Sequence, residues 1–173
     1  MRKQEQHWKQ VVIREAPPRL GPLSYCAYAV EYLEAARAAS TKGSRFKPAQ
    51  TYLTCHAIEL APIAYLSSRT SAHGQAQYSL RPRDLWNLLE QAELNGLVRM
   101  ERPTPAQRRQ IKKATRYYSD AVFEFPALAE AVRGHPEAPD IRKLLRAASV
   151  LVAAARRAAR ADPPRTRKRV PKR

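Results

Sequence analysis

Cysteine is nearly absent from this 173-residue chain, and the two present, Cys26 and Cys55, stand in no metal-binding spacing. Without a CxxC pair, a zinc site of the usual kind is not expected. Both cysteines sit in apolar stretches, where the free thiol packs as a small hydrophobe. Glycine is also scarce, at five residues, while alanine is abundant. That balance favours helix over sheet, and no apolar–polar alternation runs long enough to argue for a strand. There is no Asp-x-Asp pair for magnesium. No apolar run reaches the ~18 residues that a membrane span needs. The opening MRKQEQHWKQ lacks the apolar segment of a signal peptide. The expectation is a cytoplasmic protein with no membrane attachment, no metal and no cofactor.

Acidic residues are the other shortage. Fifteen Asp and Glu face 32 Lys and Arg, giving a net charge of +17. Such an excess attracts polyanions: nucleic acid first, then an anionic membrane surface or an acidic protein. Two clusters carry it. Arg108, Arg109, Lys112, Lys113 and Arg116 recur along one predicted helix face, with Tyr117 and Tyr118 directly after. Cations beside aromatics suit single-stranded RNA, through phosphate neutralisation and base stacking. They also sit at the end of the helix dipole that repels them, a conflict an anionic partner would relieve. The plainer alternative is a solvated face with the tyrosines in the core. The second cluster is the tail DPPRTRKRVPKR, with Arg165, Arg167, Lys168, Arg169, Lys172 and Arg173. A flexible basic tail binds polyanions without sequence preference, or serves only to solubilise.

Periodicity divides the chain into an arm at 1–19, a helical domain at 20–160 and a tail at 161–173 that is expected to be disordered when free. Helix one starts at Pro22, a proline at the first helical position, with a stripe of Leu23, Cys26, Ala27, Val30 and Leu33. Helix two starts near Pro48, with Leu53, His56, Leu60, Ile63 and Ala64 on one face and Ile58 and Tyr65 on another, so it should be central. Pro62 predicts a kink near its end, and Ser67 to Ser79 reads as loop. Helix three is capped by Asp84, striped by Leu85, Leu88, Leu89 and Ala92, and stopped at Asn95-Gly96. Helix four follows Thr104-Pro105 and runs toward Pro126, before a short helical turn over Leu128 and Val132. Helix five begins at Asp140, with Ile141, Leu144, Leu145, Ala148, Leu151, Val152 and Ala155 in line. The expected fold is an all-α five-helix bundle.

The run TYLTCHAIELAPIAYL, residues 51 to 66, places His56 and Glu59 at i, i+3 inside an apolar helix. Burying the pair is costly unless each finds a partner. It reads either as an acid–base pair or as a packing element that satisfies itself. The run resembles the Leu-x-x-His-Ala-x-Glu-Leu segment of HEPN-type (higher eukaryotes and prokaryotes nucleotide-binding) helical domains. RDLWNLLEQAELNGL, residues 83 to 97, is similar to that family's His-Asp-Leu-x-x-Leu helix, with Arg83 in place of the usual His. TRYYSDAVFEFP, residues 115 to 126, resembles its aromatic helix end. The order and rough spacing agree from about residue 22 to 155.

The resemblance implies a helical bundle that tends to dimerise and works in RNA metabolism, toxin–antitoxin systems or defence. Many HEPN members are metal-independent ribonucleases with an Arg-x(4–6)-His motif in a late helix. This chain departs from that pattern. Its histidines are His7, His56, His73 and His135, and helix five has none. Arg2 and His7 have the spacing but lie in the arm, while Arg69 and His73 are one residue too close. Ile63 stands where relatives often carry lysine. The leading expectation is therefore a non-catalytic HEPN-like binding module that contacts RNA or another polyanion, as a homodimer or with a protein partner. One alternative is a divergent ribonuclease, with His56, Glu59 and Arg116 as its first candidates. Another is a scaffold or antitoxin that binds an acidic protein.

Overall fold

A computed structural model describes residues 20–39, 47–73, 83–97, 102–123 and 138–161. Five α-helices follow one another: α1 (Pro22–Ala38), α2 (Pro48–His73), α3 (Leu85–Leu94), α4 (Pro105–Ser119) and α5 (Ile141–Arg160). The described residues contain no strand, and the fold is an all-α bundle. The arm, the turn over Leu128 and Val132, and the basic tail lie outside the described residues.

The helix starts follow from local chemistry. Gly21 caps α1, with Pro22 at its first position. Asp84 accepts from the Asn87 backbone N–H at the start of α3. Thr104 and Gln107 form a reciprocal capping box on α4. Asp140 accepts from the N–H groups of Arg142 and Lys143 to open α5.

α2 is central and packs against each of the other four helices. Cys55, Ala57, Ile58, Ala61, Ala64, Tyr65 and Leu66 are all buried along it, and so are Thr54 and Glu59. Of the face expected to lead, Ala64 is buried, whereas Leu53, His56, Leu60 and Ile63 are only half-buried. A helix enclosed by four neighbours has no single inner stripe, so its most apolar-looking line need not be its deepest.

α1 also differs from its predicted stripe. Cys26, Ala29, Leu33 and Ala36 face inward, whereas Leu23 is 63% exposed. Ala27 is exposed as well. Spacing alone favours large apolar residues, but small ones let two helices approach, because interaxial distance depends on the side chains at the contact. At the Ala36 position Gln50 of α2 donates its amide to the Ala36 carbonyl at 2.8 Å.

The expected loop from Ser67 is helical as far as His73. Ser68 bonds back to the Tyr65 carbonyl at 2.6 Å, a local bond by which serine is accommodated in a helix. The Arg69 guanidinium donates to the Tyr65 hydroxyl, which in turn donates to the Asn95 carbonyl at 3.0 Å. α2 is thereby tied to the end of α3. Gly96 sits there at φ 99°, with the Tyr65 hydroxyl 3.3 Å from where a Cβ would stand.

α4 stops at Ser119, short of the expected run to Pro126. The stop is a Schellman turn: Ala121 N–H donates to the Tyr118 carbonyl and Val122 N–H to the Tyr117 carbonyl. Its left-handed residue is Ala121, at φ 55°, where glycine is usual. With no glycine in the segment, the sequence gives no warning of the stop. Ala121→Gly is expected to stabilise the protein by about 0.5–1 kcal/mol, since glycine takes this conformation without the Cβ penalty. A urea midpoint shifted upward at unchanged m-value would show it.

Candidate functional site

Glu59 is 7% exposed and has three hydrogen-bond donors around it. The Tyr118 hydroxyl donates to Oε2 at 2.6 Å. His56 Nδ1 lies 3.1 Å from the same oxygen. The Arg83 backbone N–H donates to Oε1 at 2.8 Å. One carboxylate thus joins α2, α4 and the segment that leads into α3.

Arg83 makes that bond from a left-handed backbone at φ 66°. A non-glycine residue persists there only where its surroundings hold it. Here the carboxylate takes its N–H, and its guanidinium lies 5.7 Å from the centroid of the Tyr118 ring.

Burial opposes ionisation of Glu59, but hydrogen bonds from His56, Tyr118 and the Arg83 N–H outweigh it. The carboxyl is held below the ordinary glutamate range. Tyr118 moves the other way: burial first, then the neighbouring Glu59 carboxylate, push its phenol well up. The phenol therefore stays protonated as a donor.

The His56 tautomer follows from these partners. Nδ1 faces the Glu59 carboxylate and the Tyr118 oxygen, the latter at 2.6 Å, so Nδ1 carries a proton. In the neutral ring Nε2 is then the acceptor, with the Tyr52 hydroxyl 3.4 Å away. The rings of Tyr32 and Tyr52 flank the imidazole at centroid distances of 4.6 and 5.1 Å. A carboxylate-oriented imidazole has the makings of a general base. Here, however, among the described residues Nε2 faces the Tyr52 hydroxyl of its own helix, and the rings of Tyr32 and Tyr52 wall the imidazole.

Arg116, the third catalytic candidate, does not join this cluster. It precedes Tyr118 by two residues, about 200° around a helix, and lines the outer face of α4 instead. The structure brings His56 and Glu59 together and leaves Arg116 apart. Tyr118, Tyr52, Tyr32 and the Arg83 backbone complete the cluster. Of these only Tyr52, one turn before His56, had a local signal in the sequence.

The outer face of α4 is the second candidate. Arg109, Lys112, Lys113, Arg116 and Tyr117 line a shallow depression of about 350 Å³, with no acidic residue in its wall among the described residues. The ring of Tyr117 stacks on Phe123 at 5.7 Å, which fixes the aromatic side. Lys112 lies 5.4 Å from the centroid of the Trp86 ring. Arg108 is placed differently from its neighbours. It pairs with Glu93 and covers the Trp86 ring at 5.1 Å, so it ties α4 to α3 rather than facing outward with the other four. Arg165, Arg167, Lys168, Arg169, Lys172 and Arg173 lie outside the described residues.

Cys26 and Cys55 are buried and unpaired. Burial pushes both thiols up, which disfavours thiolate chemistry. Among the described residues no group of three or more His, Cys, Asp or Glu is placed to hold a metal ion. No helix among them is long and apolar enough to cross a membrane. Comparison of the chain with protein families, curated proteins and solved structures finds no match.

Proposed function

We propose that this chain is a HEPN-like helical module that binds single-stranded RNA through the outer face of α4 without cleaving it. The observation that carries the reading is the depression lined by four cations and a fixed tyrosine, with no acid among them. Four like charges on one wall repel one another, and a phosphate backbone is the ligand that relieves this. A tyrosine at the wall offers a base something to stack on. The volume admits a nucleotide-sized anion, and a single strand can lay an unpaired base on Tyr117 where a duplex keeps its bases stacked.

The HEPN-like part is supported by how the resembling segments meet. Glu59 of the first, Arg83 of the second and Tyr118 of the third are in hydrogen-bond contact at one point. The non-catalytic part is supported by the His56–Glu59 pair being occupied in that junction while Arg116 lies elsewhere. The test is binding of a labelled single-stranded RNA by the full chain, before and after Arg109, Lys113 and Arg116 are changed to glutamine. Unchanged binding would refute the assignment of this face.

A further inference from the structure

A second concave surface lies between α1 and α5, with a volume of about 470 Å³. Its composition differs from that of the α4 face. Val30 of α1 and Ala153 of α5, both half-buried, give it a narrow apolar floor over the buried Leu33 and Val152. Arg37, Arg156, Arg157 and Arg160 form its rim, with Glu34 the one acid among the described lining residues. Arg37 is steadied there by a hydrogen bond to the Ser149 hydroxyl at 2.9 Å, which spans the two helices. The charges of Arg156 and Arg160 also reach the thiol of Cys26 within the bundle, where they act against the effect of burial.

We propose that the α1–α5 groove is a docking site for an acidic amphipathic helix of a partner protein. An apolar floor between two helices takes the apolar ridge of a third, the helix-in-groove mode of recognition. Arginines along the rim select a helix flanked by glutamate or aspartate, because complementary charge decides partner and register. A nucleic acid has no apolar ridge to place on Val30 and Ala153, and its phosphates find a better site on α4. The sequences of the two terminal segments have the wrong sign to complement the arginine rim. Residues 1–19 carry five Lys or Arg against two Glu, and residues 162–173 carry six against one Asp. The net charge of +17 likewise opposes pairing between two copies.

The probe is a synthetic helical peptide of about four turns, with leucines along one face and glutamates on both flanks. Its controls are a scrambled peptide of the same composition and an all-glutamate peptide. Binding to the full chain is read by fluorescence anisotropy. The patterned peptide is expected to bind about tenfold more tightly than either control. Arg156→Gln with Arg160→Gln removes exposed rim charges, and Val30→Glu places a like charge on the half-exposed floor. Each is expected to weaken binding about tenfold while helicity by circular dichroism is unchanged. The α4 substitutions are expected to leave peptide binding intact. Equal binding of the controls would overturn the proposal, as would failure of the patterned peptide to bind. Displacement by RNA would overturn it in favour of a nucleic-acid surface. Self-association that the peptide abolishes would overturn it in favour of a second copy.

Discussion

Replacing Glu59 by alanine is expected to destabilise the fold by about 3–5 kcal/mol, the range for removing one partner of a buried charged network. The loss is large because the donors stay behind. Tyr118 is 1% exposed, and its hydroxyl would lose the carboxylate. The Arg83 N–H would lose its acceptor while its residue kept the left-handed backbone. An unpaired buried donor costs about 1–3 kcal/mol. Glu59→Gln separates the charge from the shape, since the amide fills the same space. The folded protein holds the Glu59 proton less readily than the unfolded chain, whose carboxyl has the ordinary value of 4.5. The stabilisation from its charge is therefore complete above that value and is lost as pH falls through the lowered one. The stability gap between the parent chain and Glu59→Gln should be widest near neutrality and should narrow below about pH 4.5. Urea unfolding across a pH series measures it. A gap that does not change with pH would show that Glu59 acts through shape alone.

The second large effect is on RNA binding. For single strands the affinity falls with salt at a slope of about 0.7 per neutralised phosphate. Over the decade between 0.1 M and 1 M salt, each contact is then worth about fivefold at the lower concentration. Changing Arg109, Lys113 and Arg116 to glutamine should reduce affinity about a hundredfold at 0.1 M salt and flatten the slope by about two. All three side chains are exposed, so the fold should tolerate the change. Lys112 is left in place because it covers the Trp86 ring.

Much of this fold is legible in local pattern. α3 reads correctly from end to end because its cap, its stripe and its terminal glycine all point the same way. α5 reads as well because its polar and apolar faces are sharply divided. Two helix ends are hidden for opposite reasons. α4 stops at an alanine that adopts a glycine conformation. α2 continues through polar residues because Arg69, Tyr65 and Asn95 bond it to α3. The candidate sites divide in the same way. The α4 cations are visible because they recur at helical spacing, although only the structure shows Arg108 pairing with Glu93. His56 and Glu59 are visible as a pair, but Tyr118 lies 59 positions from Glu59 and no local pattern connects them. The α1–α5 groove is less legible still. Arg37 and Ser149, which span it, stand 112 positions apart.

The most direct test of the account is a salt-resolved anisotropy titration of labelled single-stranded RNA, with the recovered RNA run on a denaturing gel. Three proteins are compared: the full chain, the variant with Arg109, Lys113 and Arg116 changed to glutamine, and a control with Arg102, Arg142 and Arg146 changed instead. Both variants lose the same charge from exposed positions. Intact RNA is expected throughout, with tight binding by the full chain and the control, and a lower affinity with a flatter salt slope for the α4 variant alone. Equal weakening of both variants would reduce the binding to net charge and contradict the assignment of the α4 face. Cleaved RNA that is lost on changing His56 would contradict the non-catalytic reading.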